Sequence, residues 1–124
     1  MSTTTLADAP EFRNGDSRCR ALATPSLGTV DLAVWRVDMP PGSVGKEHTL
    51  DREEVFIVET GRLAVTLNGS GFLVDAGGAV IVPPHTPFCA SNGSDTEPAT
   101  LIGCAPAGIT ATLDALTVTP PWTA

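Results

Sequence analysis

His48 and Glu54 are two polar residues whose types and spacing suit proton transfer or metal binding. They lie in residues 40–61, PPGSVGKEHTLDREEVFIVETG, a segment that begins at a Pro-Pro-Gly turn and ends at a glycine. Alternate side chains of a β-strand share a face, so His48 and Leu50 are expected to point the same way. A turn at LDRE then reverses the chain and puts Glu54 and Phe56 on one face of the next strand.

Inside a closed barrel a histidine and a glutamate are costly to bury unless they are paired or occupied by a ligand. Burial raises the pKa of a carboxyl group, and a nearby carboxylate raises that of an imidazole. We predict that His48 and Glu54 are hydrogen-bonded catalytic residues, with Glu54 orienting the ring and His48 moving the proton. The alternative is a mutually satisfied structural pair, since buried polar groups usually find partners.

Short strands must position these residues, because the chain has the composition of an all-β protein. Gly and Pro are abundant, at 12 and 11 residues of 124, and many hydrophobic residues are β-branched. Strand-like segments recur at intervals of roughly 8–12 residues with turn residues between them, which indicates a sandwich or a barrel. The segment ITATLDAL also has helical spacing, so a short C-terminal helix is the alternative there.

The chain is predicted to form one domain preceded by an arm. Residues 1–16 are polar and lack periodicity, so we expect a flexible or loosely attached N-terminal arm, and residues 17–124 are expected to form a single barrel. The N-terminus shows no basic segment followed by an apolar one, and the three cysteines form no CxxC motif. A reduced, cytoplasmic protein is the simplest interpretation.

The charge distribution argues against two classes of partner. Acidic residues outnumber basic residues 14 to 7, for a net charge of −7. No basic cluster is present that could neutralise phosphates, so no nucleic-acid partner is expected. No apolar run approaches the roughly 20 residues that span a bilayer, so no membrane partner is expected either.

Two segments resemble the motifs of the cupin superfamily. The first motif is G-x5-H-x-H-x3,4-E-x6-G, and residues 42–61 keep each spacing but carry Leu50 at the second histidine. The second is G-x5-P-x-G-x2-H-x3-N, and residues 77–92 carry His85 at the second glycine and Phe88 at the histidine. The resemblance implies a cupin-like double-stranded β-helix, that is, a jelly-roll barrel. It also implies a homodimer, because small barrels of this kind often pair through open sheet edges.

The same resemblance defines where a metal ion would be held. In metal-binding cupins the carboxylate and three histidines of the two motifs are the ligands. Carried over by position, His48 and Glu54 remain, whereas Leu50 and Phe88 have no donor atom. A catalytic zinc or iron site normally takes three protein ligands, so we expect no metal and no other cofactor. The alternative is a divalent ion, Zn, Fe, Mn or Ni, held by His48, Glu54 and a donor on the substrate.

Three apolar residues are predicted to shape the binding pocket. Leu50, Phe56 and Phe88 are expected to face the barrel interior and to make the pocket suitable for a small, partly apolar organic ligand.

Three polar residues are predicted to contact the same ligand. Lys46 shares the strand parity of His48 and can meet an anionic substrate, although a solvated lysine is the alternative. Arg36 interrupts the apolar strand LAVWRVDM, where a salt-bridged rim is the alternative. His85 is expected at the barrel mouth, and a turn histidine without a function is the alternative.

Three functions remain open on the sequence. The first is a metal-independent enzyme that uses acid–base chemistry to dehydrate, isomerise or cyclise a small molecule, with secondary metabolism as the suggested context. The second is a non-catalytic domain that binds a small molecule in the same pocket. The third is a metal-dependent oxygenase with an irregular ligand set.

Overall fold

The computed structural model describes residues 2–124, which form twelve β-strands and two short 3-10 turns. No helix within those residues is long and apolar enough to cross a membrane. The strands, in chain order, are β1 Glu11–Asn14, β2 Ser17–Ala23, β3 Leu32–Met39, β4 Thr49–Leu50, β5 Glu54–Thr60, β6 Arg62–Leu67, β7 Ser70–Asp75, β8 Ala79–Val82, β9 Phe88–Asn92, β10 Ala99–Pro106, β11 Ala111–Leu113 and β12 Leu116–Val118.

The strands form two layers around one core. One layer is a six-stranded sheet in the order β1-β2-β3-β10-β5-β8. The other contains the sheets β12-β11-β4 and β7-β6-β9, which a bridge between His48 and Phe88 connects. Buried side chains from both layers, such as Trp35 and Leu63, belong to a single hydrophobic cluster. This is the jelly-roll architecture that the sequence predicts.

Two terminal segments differ from the sequence-based expectation. Residues 11–14 were expected in the N-terminal arm but form β1, which pairs with β2. A short edge strand is held by backbone hydrogen bonds and does not require alternating apolar residues. Its sequence therefore lacks the pattern by which strands are predicted. The alternative of a C-terminal helix is wrong, because β11 and β12 form a hairpin there. Asp114, in the turn between them, has a φ of 55°, which interrupts a right-handed helix.

The inner face of the six-stranded sheet carries one large aromatic residue, Trp35. Trp35 is 1% exposed and lies across Gly103 of the neighbouring strand β10. A Cβ added to Gly103 would clash with the indole ring of Trp35. The edge of one ring meets the face of the other where Trp35 packs against Phe56, with the centroids 6.2 Å apart. Because Gly103 has no side chain, it leaves the space in which the indole ring of Trp35 packs in the hydrophobic core.

The substitution Gly103→Ala is expected to lower the free energy of unfolding by about 2 kcal/mol or more, because overpacking forces Trp35 from its position. Urea unfolding followed by tryptophan fluorescence measures this change. Cys104→Ala is the matched control, since this next residue of β10 is only partly buried and lies on the opposite face. Equal stability of the two variants would contradict the assigned packing.

Candidate active site

Glu54 places a carboxyl group inside the barrel. It is the first residue of β5, pairs with Val82 of β8, and shares its face with Phe56 and Val58. Only 5% of Glu54 is exposed. Across residues 2–124, no hydrogen bond or ion pair to its carboxyl group is formed. The side chain is therefore held in the interior by the strand, without a polar partner.

This burial determines the protonation state of the carboxyl group. Desolvation raises the pKa of Glu54 from 4.5 to about 8, because the charged form loses its hydration and gains nothing in exchange. At neutral pH the group is mostly un-ionised and can donate its proton. This property is typical of the general acids of enzymes.

Cys19 is a second interior titratable group, and no sequence motif marked it as a site residue. It is 1% exposed in β2. Burial, and then the negative charges of Asp38 and Glu54, raise the pKa of the thiol to about 12. The thiol therefore stays protonated and is not a nucleophile at neutral pH.

His48 is held by its neighbours in a defined orientation. Its Nδ1 lies 2.8 Å from the carbonyl oxygen of Lys46. Since a carbonyl only accepts hydrogen bonds, Nδ1 carries the hydrogen, and Nε2 of the neutral ring has a free lone pair. The ring also packs on that of Phe88, with the centroids 4.1 Å apart. Backbone bonds in both directions between His48 and Phe88, each 2.9 Å long, fix the two strands together.

The expected hydrogen bond between His48 and Glu54 is not formed in the described chain, and this corrects the predicted pairing. The Lys46 carbonyl takes the role of orienting the ring that the sequence assigned to Glu54. His48 is half-buried, whereas Glu54 is buried, and a backbone hydrogen bond connects their segments only indirectly. Leu50, two residues after His48, accepts a 2.7 Å hydrogen bond from the backbone of His85, three residues beyond the Val82 that pairs with Glu54.

Two of the four cupin metal positions carry apolar residues. Leu50 is 2% exposed and Phe88 is 1% exposed, and both belong to the hydrophobic core. Neither has an atom that can bind a metal ion. Within residues 2–124 no group of three or more His, Cys, Asp or Glu side chains is arranged to hold one. The donor set present thus falls short of the three ligands that a catalytic ion normally takes.

Arg36 lies outside the barrel interior. Along β3 the buried residues alternate with partly exposed ones, and Arg36 belongs to the exposed face. It forms ion pairs with Asp38 at 3.3 Å and with Glu59 at 3.0 Å. Burial disfavours the charged form of Asp38, but the hydrogen bonds and charges of Arg20 and Arg36 outweigh that effect and lower its pKa. Arg36 therefore does not line the binding pocket, as was predicted. It belongs to a salt-bridged rim, which was the alternative.

The other two polar candidates lie at the surface. The side chains of Lys46 and His85 are exposed. His85 has a φ of 59°, in the left-handed region that glycine favours. His85 thus adopts the backbone conformation that the glycine at this position of the family motif favours.

Two open grooves lie elsewhere on the surface. One, of about 290 Å³, is lined by residues of the β7-β6-β9 sheet, including Leu73 and Cys89. The other, of about 270 Å³, lies beside Arg18 and Asp38. Neither is lined by His48, Glu54 or the apolar residues that were predicted to form the pocket.

Comparison with known proteins identifies the family. A sequence profile described as "Cupin domain" matches residues 35–103, more than half of the chain. The chain therefore belongs to the cupin family. No curated protein with which the sequence was compared matches it.

Solved structures share the fold at low sequence identity. An RmlC-like cupin from Shewanella frigidimarina NCIMB 400 is 18% identical with a TM-score of 0.75, over 87% of this chain and 92% of that one. The polyketide cyclase RemF from Streptomyces resistomycificus is also 18% identical, with a TM-score of 0.77, over 88% and 81%. KdgF from Halomonas sp. is 21% identical with a TM-score of 0.71, over 86% and 94%. At these identities the likeness shows that the fold is shared, in agreement with the cupin family assignment.

The buried carboxyl group makes stability depend on pH in a defined direction. The folded protein keeps the Glu54 proton up to about pH 8, whereas an unfolded chain releases it near 4.5. The free energy of unfolding therefore falls as the pH rises between these values, by at most about 5 kcal/mol, and the fall ends above the folded-state pKa. Glu54→Gln removes this component.

Chemical unfolding of the wild type and Glu54→Gln at several pH values from 5 to 9 checks this prediction. The variant is expected to gain stability relative to the wild type as the pH rises. Glu53→Gln, which changes the exposed neighbouring carboxylate, is expected to follow the wild type. A constant difference between the wild type and Glu54→Gln at all pH values would show that Glu54 titrates normally.

Proposed function

We propose that this cupin is a small enzyme that catalyses metal-independent proton transfer on a small, partly apolar organic molecule. Dehydration, isomerisation and cyclisation are the reactions that such chemistry serves. The observation that carries the proposal is the Glu54 carboxyl group, which is 5% exposed, lacks a polar partner in the described chain and has a pKa of about 8. A protein that needed this residue only for structure would gain stability from an apolar side chain there.

The two polar residues have complementary roles in this proposal. Glu54 is protonated at neutral pH and acts as the general acid. His48 donates from Nδ1 to the Lys46 carbonyl, so its Nε2 is the atom that accepts a proton from the substrate. Because no hydrogen bond joins them in the described chain, neither group neutralises the other. An acid and a base kept apart in this way can act on two atoms of one substrate.

The surroundings of these groups favour a neutral ligand. Leu50, Phe56 and Phe88 are apolar, and no cation lies against Glu54 within residues 2–124 to balance an anionic ligand. A carbonyl compound with an acidic C–H fits this combination. Its oxygen accepts a hydrogen bond from the protonated Glu54 carboxyl group, while its carbon loses a proton to His48. Lys46 and His85, both exposed, can contact only a part of the ligand that extends to the surface.

One observation favours the second candidate function, a domain that binds a small molecule without changing it. Leu50 and Phe88 are almost fully buried in the core, so they fill space that a substrate needs. Under this alternative Glu54 supplies a single hydrogen bond to the ligand, and His48 has no proton to move.

Proton exchange on a simple carbonyl compound tests the proposal and separates the two candidates. We expect the wild type to accelerate the exchange of the benzylic protons of phenylacetone for deuterium, followed by NMR. His48→Gln and Glu54→Gln are each expected to reduce this acceleration by about 100-fold or more. The matched control is Glu53→Gln, whose exchange rate should equal that of the wild type. Binding of phenylacetone without accelerated exchange would favour the non-catalytic alternative.

Metal loading tests the metal-independent part of the proposal. The protein is incubated with Mn, Fe, Ni or Zn, dialysed and analysed for its metal content. Because only His48 and Glu54 occupy the ligand positions with donor atoms, we expect well under one equivalent of each metal. One equivalent that is lost on His48→Gln would support the alternative of a metal-dependent cupin.

A further inference from the structure

The segment that leads to His48 runs beside strand β9 and contains one residue more than the stretch of β9 that it faces. His48 and Phe88 exchange two backbone hydrogen bonds of 2.9 Å, and Asn92 donates another of 2.9 Å to the Ser43 carbonyl. Four residues lie between Ser43 and His48, whereas three lie between Phe88 and Asn92. The extra residue makes a β-bulge, a feature that interrupts strand pairing and re-aims the groups beside it.

The bulge frees the carbonyl group that orients the imidazole ring. A regular ladder that continued from His48 and Phe88 would pair Lys46 with Ala90. In the part of the chain that the structure describes, Lys46 and Ala90 form no hydrogen bond with each other. The Lys46 carbonyl accepts instead from Nδ1 of His48, at 2.8 Å. The ring is thus oriented by a group that the bulge has released from the sheet.

Ser91 of β9 holds the bulge in place. Its Oγ accepts a 3.0 Å hydrogen bond from the backbone N–H of Gly45. Within the described chain this is the only hydrogen bond between residues 44–47 and β9. A Cβ added to Gly45 would clash with the Ala90 carbonyl, so the absence of a side chain lets the bulge pass this close to the strand.

The imidazole ring needs such support because His48 is only half-buried, so water can reach it. The two neutral tautomers differ in which ring nitrogen carries the hydrogen, and the hydrogen bond at Nδ1 determines which of them is present. Only the tautomer with its hydrogen on Nδ1 has a lone pair on Nε2, the atom that accepts the substrate proton in the proposed function. If the Lys46 carbonyl moves away, the ring becomes a mixture of both tautomers.

We propose that Ser91 is a positioning residue for the proton-accepting atom of the site. Its hydroxyl group fixes the backbone of the bulge at Gly45. The bulge then presents the Lys46 carbonyl to Nδ1 of His48, which keeps Nε2 free to take a proton. The role in the reaction rests on the proposed function, whereas the control of the tautomer does not.

Ser91 exerts this effect from outside the barrel interior. Successive side chains of β9 alternate between its two faces, so Ser91 and the buried Phe88 point in opposite directions. Ser91 lines the open groove of about 290 Å³, where its Oγ lies 3.8 Å from Sγ of Cys89. Substitution of Ser91 therefore leaves the apolar residues around Glu54 in place, and its effect reaches the reaction through His48.

The chemical shifts of the imidazole nitrogens, measured by NMR at a pH at which the rings are neutral, test the control of the tautomer. The chain has two histidines, so His85→Gln assigns both rings. We expect wild-type His48 to carry its hydrogen on Nδ1, and Ser91→Ala to move the shifts of its two nitrogens toward each other. Ser91→Thr keeps a hydroxyl group on the strand and should restore the wild-type shifts.

Ser94→Ala is the matched control for this measurement. The Ser94 hydroxyl group also accepts backbone hydrogen bonds, from Thr96 and Glu97, but in a loop that does not carry His48. The His48 shifts of this variant should equal those of the wild type. Unchanged shifts in Ser91→Ala would overturn the proposal, and so would a wild-type His48 with its hydrogen on Nε2.

The rate of proton exchange on phenylacetone tests the role of Ser91 in the reaction. We expect Ser91→Ala to lower kcat about 5-fold, the factor that a hydrogen bond of about 1 kcal/mol represents. KM should stay at the wild-type value, because Ser91 does not touch the ligand. Ser91→Thr should recover kcat.

Two results would contradict this role, and they have different meanings. An equal kcat for the wild type and Ser91→Ala would overturn the positioning role while leaving the proposed function intact. A wild type that does not accelerate exchange would overturn the proposed function, and the nitrogen shifts would still decide whether Ser91 controls the His48 tautomer.

Discussion

The desolvation of the Glu54 carboxyl group determines the chemistry of the barrel interior. The strand pairing of β5 with β8 fixes this side chain on the inner face, where 5% of the residue is exposed. No cation or hydrogen-bond donor in the described chain compensates a negative charge there, so the pKa rises to about 8. The same charge, when present, also disfavours ionisation of Cys19. At neutral pH the interior therefore holds an un-ionised acid and a neutral thiol.

The position of His48 follows from a different set of contacts. The Lys46 carbonyl fixes its tautomer, and the ring of Phe88 fixes its plane. The aromatic residue that stands at a metal-ligand position of the family thus orients the remaining histidine. In the proposed mechanism this separate attachment leaves the Glu54 proton and the Nε2 atom of His48 free to act on two atoms of one substrate.

The sequence predicted the fold well because its signals are redundant. Alternating apolar residues mark the long strands, glycines and prolines mark the turns, and two spaced motifs cover residues 42–61 and 77–92. Strand β1 was missed, since a short polar edge strand is held by backbone bonds alone. Alternation along β3 was enough to show that Arg36 and Trp35 face opposite ways, but not which side is the interior.

The site was predicted less completely for geometric reasons. Spacing indicated that His48 and Glu54 share the interior, whereas a hydrogen bond depends on ring orientation, which the Lys46 carbonyl controls. The burial of Cys19 in the interior depends on the position of β2 between β1 and β3 in the six-stranded sheet. No local sequence pattern contains that information. The positive φ of His85 was not predicted, and the glycine at that position of the family motif was the one signal that could have indicated it.

A direct titration of Glu54 is the most decisive measurement for this account. The chemical shift of its carboxyl carbon, assigned by comparison with Glu54→Gln and followed by NMR against pH, reports the ionisation of this one group. The account predicts a midpoint near pH 8, several units above the ordinary value of 4.5. A midpoint near 4.5 would mean that the carboxyl group is solvated or paired, and the proposed general acid would not exist.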